Sequence, residues 1–340
     1  MRVLVTGGAG YIGSHASLRL LDEGHEVTVV DSLFRGHQGA IDALQAVGGG
    51  RMRFVRADLA DTEVLAGVLR DGRIDAVLHF AALTYVGESV EKPAEYFRVN
   101  LDGSVSLLAA MRTAGVRRIV FSSTAATYGE PSQDAMPITE RTPQRPINPY
   151  GASKLAFEEV LRSACAADPS FAAIALRYFN VAGADARGRL GEDHRPETHL
   201  IPICLEVALG KRAHLTVFGS DYPTADGTCI RDYVHVEDLV DAHLAAFGAF
   251  ETGRLRAWNV GIGRGYSVRE VVESCRRVTG HPIPCVAGAR RAGDPPSLFA
   301  DPGAIARDLG WRARWTDLDA IVRTAWEWMR AHPRGYDGRG

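Results

Sequence analysis

Short apolar runs alternate with longer amphipathic stretches through the first half of the chain. The runs Val3–Thr6, Glu26–Val30, Met52–Val55, Ala76–Phe80, Arg118–Ser122 and Ala172–Arg177 are rich in aliphatic residues, the pattern of strands buried on both faces. Between them, Tyr11–Leu21, Gln38–Val47, Thr62–Leu69, Pro93–Thr113 and Tyr150–Cys165 space their apolar residues as helices do. Strand, helix, strand at these intervals predicts β-α-β units, and so a doubly wound parallel sheet with helices on both faces.

After Asn180 the rhythm breaks. Residues 181–199 are polar and rich in Gly, Arg and Asp, which reads as a long loop. A helix at 200–209, a strand at Thr216–Phe218, a loop at Gly219–Thr228, a strand at Ile230–Val234, a helix at Val236–Phe247 and a strand at Ala257–Val260 follow. Helices at Ser267–Thr279 and Leu318–Arg330 flank a Pro- and Arg-rich stretch, and the last eight residues read as frayed. The pattern predicts a large α/β domain over 1–180 and a smaller mixed α/β lobe over 181–340. Part of the chain around 230–260 is expected to return to the large domain.

Composition narrows the function classes. With 39 basic and 41 acidic residues there is no broad positive field, so no nucleic acid partner is expected. No apolar run reaches the roughly 20 residues of a membrane span, so no membrane partner is expected either. The cysteines, Cys165, Cys204, Cys229, Cys275 and Cys285, form no C-x-x-C pair and no disulfide framework. The chain opens directly on a strand without a signal peptide, and together these features point to a reducing cytoplasm. Only three lysines stand among the 39 basic residues, Lys92, Lys154 and Lys211, which raises the question of why each was kept.

The first strand runs into Gly7-Gly8-Ala9-Gly10-Tyr11-Ile12-Gly13. Both G-x-x-G-x-x-G and G-x-G-x-x-G registers fit, and either lets the backbone approach a pyrophosphate at a helix N-terminus. Asp31 ends the second strand, 18 residues past Gly13, where an acid accepts hydrogen bonds from a ribose and repels a 2′-phosphate. NAD is therefore expected as cofactor in preference to NADP, although Arg35 lies close by. Asp58 follows the third strand and is read either as an adenine-side contact or as a helix N-terminal acid. The large domain is thus a Rossmann-type, NAD-binding one.

Tyr150-Gly151-Ala152-Ser153-Lys154 is a Y-x-x-x-K, which puts both side chains on one helix face. An ammonium beside a phenol lowers its pKa, so the tyrosine can act as a base toward a substrate alcohol. A third member is expected at the end of the preceding strand. Thr124 is the candidate and Ser123 its competitor.

Taken together, VTGGAGYIGSH (5–15), HFAALTYVGESV (79–90), FSSTAATYG (121–129), NPYGASK (148–154) and LRYFNVAGA (176–184) resemble the extended short-chain dehydrogenase/reductase family. FGSDYPTADGTCIRDYVHVEDL (218–239) and RRAGDPPSL (290–298) carry the likeness to its nucleotide-sugar epimerase branch. The resemblance implies reversible C4 epimerisation of UDP-glucose and UDP-galactose through a 4-keto sugar, with tightly bound NAD. Tyr150, Lys154 and Thr124 are then the catalytic residues.

By the same resemblance, Gly7, Gly10, Tyr11, Ile12, Gly13, Asp31, Asp58, Leu59, Phe80, Ala81, Ala82, Asn100, Thr124, Tyr150, Lys154 and Phe179 surround NAD. Asn180, His199, Leu200, Thr216, Phe218, Arg231, Tyr233, Arg291, Asp294 and Leu298 surround the UDP-sugar. His199 stands where asparagine is common, and Leu298 where residue bulk is thought to decide whether an N-acetylhexosamine fits. No metal is expected from Glu192, Asp193, His194 and His199, because the family needs none. A dehydratase is disfavoured, since Ala125 and Ala126 follow Thr124 where that chemistry places an acid–base pair, and an NAD-sensing regulator would not need Tyr150 and Lys154. A homodimer through 93–113 and 150–165 is expected on the resemblance alone.

Overall fold

The computed structural model describes residues 1–291 and 294–338; Ala292 and Gly293, within the 290–298 motif, lie outside the described residues. The chain begins β1 (Arg2–Thr6), α1 (Tyr11–Asp22), β2 (Glu26–Asp31), α2 (Gln38–Gly48), β3 (Met52–Arg56), α3 (Thr62–Asp71) and β4 (Ala76–His79). It continues through α4 (Val86–Glu91), α5 (Pro93–Phe97), α6 (Gly103–Ala114), β5 (Arg118–Thr124), α7 (Pro149–Ala167), β6 (Ala172–Tyr178) and β7 (Asn180–Ala182). Then come α8 (Leu200–Ala208), β8 (Leu215–Phe218), β9 (Ile230–His235), α9 (Val236–Ala246), β10 (Arg254–Val260) and β11 (Gly265–Ser267). The last elements are α10 (Val268–Thr279), β12 (Cys285–Gly288), β13 (Ser297–Leu298), α11 (Gly303–Leu309) and α12 (Leu318–Ala331).

One compact unit comprises Met1–Thr127, Gln144–Arg177 and Val240–Trp258. Its sheet is seven-stranded, in the order β10-β6-β5-β4-β1-β2-β3. The β1–β2, β1–β4, β2–β3 and β4–β5 pairs are parallel, as expected of aliphatic runs covered by helices on both faces. The register pairs Thr6 with both Val30 and His79, so the loops opening at Gly7, Asp31 and Phe80 leave one edge of the sheet together. This Rossmann-type order places ligands beyond the carboxyl ends of the strands. The core packs Leu65, Leu69, Leu107, Met111, Phe121, Phe157 and Leu161 between sheet and helices.

The second unit comprises Tyr128–Pro143, Tyr178–Leu239 and Asn259–Gly340. In it β9 pairs with β7, β11 and β13, while β8 pairs with β12. The core of this unit gathers Ile201, Leu205, Tyr233, Val271, Cys275, Ile321, Val322 and Trp326. The division is less simple than a cut at 180. Val240–Trp258 returns to the first unit, and β10 closes its sheet. Tyr128–Pro143 belongs to the second, where Tyr128 Oη donates to Asn259 Oδ1 at 2.7 Å and Ile138 bridges to Ala300.

Two local expectations change. The helix expected over 93–113 is interrupted by a five-residue π-turn, Arg98–Asp102, whose widened turn carries the buried Asn100. The tail is not frayed as far as it is described: Gly335–Gly338 is a 3₁₀ turn, and the buried Tyr336 donates its hydroxyl to the Gly191 carbonyl at 3.0 Å. The sequence pattern does not reveal this anchor, because a lone tyrosine among polar residues has no period. All five cysteines are free thiols, and only Cys285 is exposed. Among the described residues no helix is long and apolar enough to cross a membrane.

Candidate active site

The glycine loop connects β1 to α1. A Cβ on Gly13 would lie 2.2 Å from the Gly7 carbonyl oxygen, so only glycine lets the first turn of α1 fold back on the loop. Gly10 is the N-cap of α1 and no side chain caps it, which leaves that end to be approached by an anion, with Tyr11 and Ile12 opening the helix. Asp31, at the end of β2, accepts from the Ala9 and Leu33 N–H groups at 3.0 and 2.8 Å. Burial raises its pKa, and those two N–H groups partly offset the rise.

Arg35, the nearby cation that could have argued for NADP, pairs within its own unit. Its guanidinium pairs with Glu88 at 2.5 Å and lies 4.2 Å over the Tyr85 ring. Asp58 is exposed after β3, and its carboxylate closes a turn by accepting from the Ala60 N–H at 2.9 Å. The helix that follows has Asp61 as N-cap, so Asp58 is not the capping acid. Leu59 is packed into the core. Phe80, Ala81 and Ala82 follow β4 and are half-buried, with Phe80 against His243 at 4.8 Å.

At the end of β5 the two hydroxyls part company. Adjacent strand residues point to opposite faces. The Ser123 hydroxyl donates to Glu158 Oε1 at 2.5 Å, inside a buried network in which Arg177 donates to both oxygens of Glu158 at 3.0 and 2.6 Å. Thr124 instead hydrogen-bonds the Tyr150 hydroxyl and accepts from the Ala126 N–H at 3.1 Å. The structure thus takes Thr124 to the tyrosine and Ser123 to the scaffold.

Tyr150 sits in the first turn of α7, which starts with Asn148 as N-cap, accepting from Gly151 N at 2.8 Å, and Pro149 behind it. A Cβ on Gly151 would lie 2.5 Å from the Ala126 carbonyl oxygen, so glycine here brings the helix against the end of β5. Burial pushes the Tyr150 phenol up to about 12, with the Thr124 hydroxyl pulling the other way. Lys154, one turn on, is 3% exposed. It donates to the Ser122 carbonyl at 2.8 Å and lies 4.8 Å over the Phe121 ring. Burial pulls its ammonium down to about 7. Lys92 and Lys211, by contrast, are exposed, and Lys92 only pairs with Glu88 one turn away.

A buried polar chain braces this helix, and sequence patterning does not reveal it. Ser104 donates to the Asn100 carbonyl at 2.5 Å, so its oxygen accepts from His79 Nε2 at 2.8 Å. His79 Nδ1 is then the acceptor for Thr6 Oγ1 at 2.7 Å. Burial, with repulsion from Lys154, drops the His79 pKa to about 3, which keeps the ring neutral. Asn100 accepts from Leu83 N and donates to both Leu83 O and Ser153 Oγ, while Ser153 donates to the Tyr150 carbonyl at 2.8 Å. Both amide donors of Asn100 are therefore engaged in holding the loop after β4 to α7.

In the second unit, Phe179 is buried beside the exposed Asn180 that opens β7. On β9, Arg231 pairs with Asp294 and also donates to the Ile230 carbonyl at 2.7 Å, whereas Tyr233 lies in the core. Strand pairing sets Leu298 opposite Arg231 and Asn180 opposite Tyr233. Arg291 stacks on Phe218 of β8 at 4.1 Å, two residues beyond Thr216. Asp232, His235 and Asp238 of the 218–239 motif hold neighbouring backbone and side chains. Asp232 accepts from Ile262, Gly263 and Ala300 N–H groups, and burial pushes it up to about 6. His235 bonds Thr324 at 3.0 Å, and Asp238 takes the Arg314 and Trp315 N–H groups.

His199 is the N-cap of α8 and Leu200 its first residue. The His199 imidazole meets Glu197 and Glu192 at 2.8 and 3.0 Å, and His194 meets Glu192 at 3.0 Å. Burial opposes charge on both rings, but the carboxylates outweigh it and raise His194 to about 9 and His199 to about 10. The same contacts overcome burial at Glu197 and lower it to about 2. Asp193, grouped with these residues by sequence, turns away to Tyr336 N and Arg195, and Glu197 takes its place.

A family profile described as NAD dependent epimerase/dehydratase matches residues 3–261. The chain is 48% identical over 340 residues to a UDP-glucose 4-epimerase of Lactobacillus helveticus, covering 100% of both. It is 47% identical over 340 residues to a probable UDP-arabinose 4-epimerase 3 of Oryza sativa subsp. japonica, covering 98% of this chain and 83% of that one. Among solved structures, a UDP-glucose 4-epimerase from Bifidobacterium longum in complex with NAD+ and UDP matches with a TM-score of 0.94 at 40% identity, covering 98% of this chain and 100% of that one.

Proposed function

The chain belongs to the NAD dependent epimerase/dehydratase family, and on that premise we propose that it is an isomerase that interconverts UDP-glucose and UDP-galactose at C4. The observation that carries the reading is the buried set at the carboxyl end of the sheet: Tyr150 bonded to Thr124, with Lys154 one helical turn away. The first unit fits NAD on its own geometry. The Gly13 contact leaves no room for a side chain in the loop, the uncapped N-terminus of α1 suits a pyrophosphate, and Asp31 suits a ribose. Gly7, Gly10, Tyr11, Ile12, Gly13 and Asp31 hold it in this reading, with Asp58, Phe80, Ala81, Ala82 and Phe179 around it.

When bound, NAD supplies a reversible hydride acceptor and a positive ring. Tyr150 takes the proton of the sugar 4-hydroxyl and gives it back. Burial holds the phenol at about 12 and so protonated at neutral pH, against the lowering expected from Lys154, and in this reading the positive ring of bound NAD favours the phenolate. Thr124 donates to the phenolic oxygen and so stabilises that form. A 4-keto sugar presents either face only if the protein grips the nucleotide end, and Arg231 and Arg291 offer guanidinium forks suited to a diphosphate. Asn180, His199, Leu200, Thr216, Phe218, Tyr233, Asp294 and Leu298 complete that part in this reading. Elimination of water would need a further acid–base pair, and Ala125 and Ala126 follow Thr124 instead.

A UDP-pentose is the second reading, favoured by the likeness to the rice protein. The leucine at 298 adds a third, weak turnover of N-acetylhexosamines. The reading also carries a homodimer, a cytoplasmic place and a role in galactose metabolism. The homodimer is supported by Val86, Val90, Phe97 and Val105, exposed apolar side chains on α4–α6. The test is to release cofactor with acid and follow UDP-galactose, UDP-N-acetylgalactosamine and a UDP-pentose by NMR, with wild type and Tyr150→Phe. Interconversion of UDP-galactose and UDP-glucose, lost in Tyr150→Phe with NAD retained, is expected. Absence of NAD, or near-normal activity in the variant, would overturn the reading.

A further inference from the structure

We propose that Glu192, His194, Glu197 and His199 form a binding site for a divalent transition-metal ion of the zinc class. Each of the four offers one ligand atom, and these atoms lie within 4.8 Å of one another. Both imidazoles present the same nitrogen, Nδ1, to both carboxylates. The nitrogen–oxygen separations are 3.0 Å from each imidazole to Glu192 Oε1, 3.8 Å from His194 to Glu197 Oε2 and 2.8 Å from His199 to Glu197 Oε1. A tetrahedron with metal–ligand bonds of about 2.0–2.2 Å has edges of about 3.3–3.6 Å. The measured separations bracket that length, so small shifts close a four-coordinate shell.

The donor set selects the class of ion. Two imidazoles and two carboxylates suit zinc and its first-row neighbours, whereas calcium and magnesium ask for six or more oxygens. Two carboxylates also balance a divalent charge. The site is built, not merely clustered. Glu192 and Glu197 are buried, and Glu197 Oε1 is aimed by the Thr198 and His199 N–H groups at 2.7 and 2.8 Å. The flanking loop is pinned separately, since Gly191 N donates to the Tyr336 hydroxyl and Asp193 accepts from Tyr336 N, each within 3.1 Å. Outer contacts of this kind orient ligands in advance. A bound ion would fasten the segment ahead of α8 and fix the ring of His199 by Nδ1, leaving Nε2 as its other polar atom.

The test is titration of the chelator-treated, full-length protein with zinc(II) and with cobalt(II). The readouts are calorimetric stoichiometry, the visible spectrum of four-coordinate cobalt, and the shift in melting temperature. His194→Gln and Glu192→Gln remove one ligand each, and Cys285→Ser removes the exposed thiol as a rival ligand. One ion per chain is expected, with an intense tetrahedral cobalt spectrum and a raised melting temperature. Binding should weaken at least tenfold in the folded ligand variants and stay unchanged in Cys285→Ser. No stoichiometric binding, binding indifferent to both ligand variants, or binding lost in Cys285→Ser would each overturn the proposal. In those cases the four residues are an ion-pair network and nothing more. Each readout is of metal binding alone, so it is decided separately from epimerase activity.

Discussion

Thr124→Val and Ser123→Ala remove neighbouring hydroxyls from one strand and should have opposite consequences. Valine keeps the shape of threonine and deletes the group that bonds the Tyr150 hydroxyl. A hydrogen bond to a charged partner contributes about 1.5–3 kcal/mol. Here the charge is the phenolate that carries the proton transfer, so the loss falls on the transition state. At about 1.4 kcal/mol per decade, kcat/KM should drop about 10- to 150-fold. The hydroxyl of Ser123 instead donates to Glu158, whose two oxygens Arg177 also holds. Its loss should lower unfolding stability by about 1–3 kcal/mol and leave kcat/KM within about twofold. Steady-state epimerisation of UDP-galactose and urea unfolding at unchanged slope measure the two effects. If Ser123→Ala proved the more damaging to activity, the assignment of the two faces of β5 would be wrong.

Lys154→Met should abolish turnover yet fold at least as stably as wild type near pH 7. The ammonium is held at about 7 in the folded protein, below its usual value, so the folded state bears its charge at a cost that is relieved as pH rises. Cofactor-free wild type should therefore gain stability from about pH 7 toward 10.5, and the methionine variant should lack that slope in urea melts; a parallel slope would refute the burial argument. Gly13→Ala should essentially eliminate NAD from the purified protein, because its Cβ would lie 2.2 Å from the Gly7 carbonyl oxygen; acid release of cofactor checks it, and normal occupancy would contradict the loop geometry. Glu158→Leu takes the carboxylate from the Arg177 guanidinium, 4% exposed, leaving Gln144 Oε1 among its acceptors, and should cost about 3–5 kcal/mol in denaturant unfolding; a near-neutral result would show that the charge is met without Glu158.

Much of the first unit was legible because its signals are local. Aliphatic strands, the glycine loop, the acid ending β2 and the four-residue spacing of Tyr150 and Lys154 all lie within short windows of chain. The likeness to known nucleotide-sugar enzymes extended that reading to the second unit. What escaped was non-local. Nothing near Ser123 announces Arg177 as its network partner. Glu197 and Asp193 are both loop acids in sequence, and only folding decides which one meets the histidines. The 218–239 motif carried the family likeness, but only the fold shows that its Asp232, His235 and Asp238 tie loops together.

By itself, then, the sequence determined the α/β rhythm, the glycine loop between β1 and α1 and the shared helix face of Tyr150 and Lys154, because each depends on the chain's own short-range geometry. Tertiary structure alone decided that Thr124 and not Ser123 reaches the tyrosine, that Arg35 is paired with Glu88, and that Lys154 is the one lysine of three to be buried. Those outcomes turn on which face of a strand or helix meets which neighbour, and on how far burial moves a proton affinity. Packing sets both, and it brings together residues that the sequence leaves far apart.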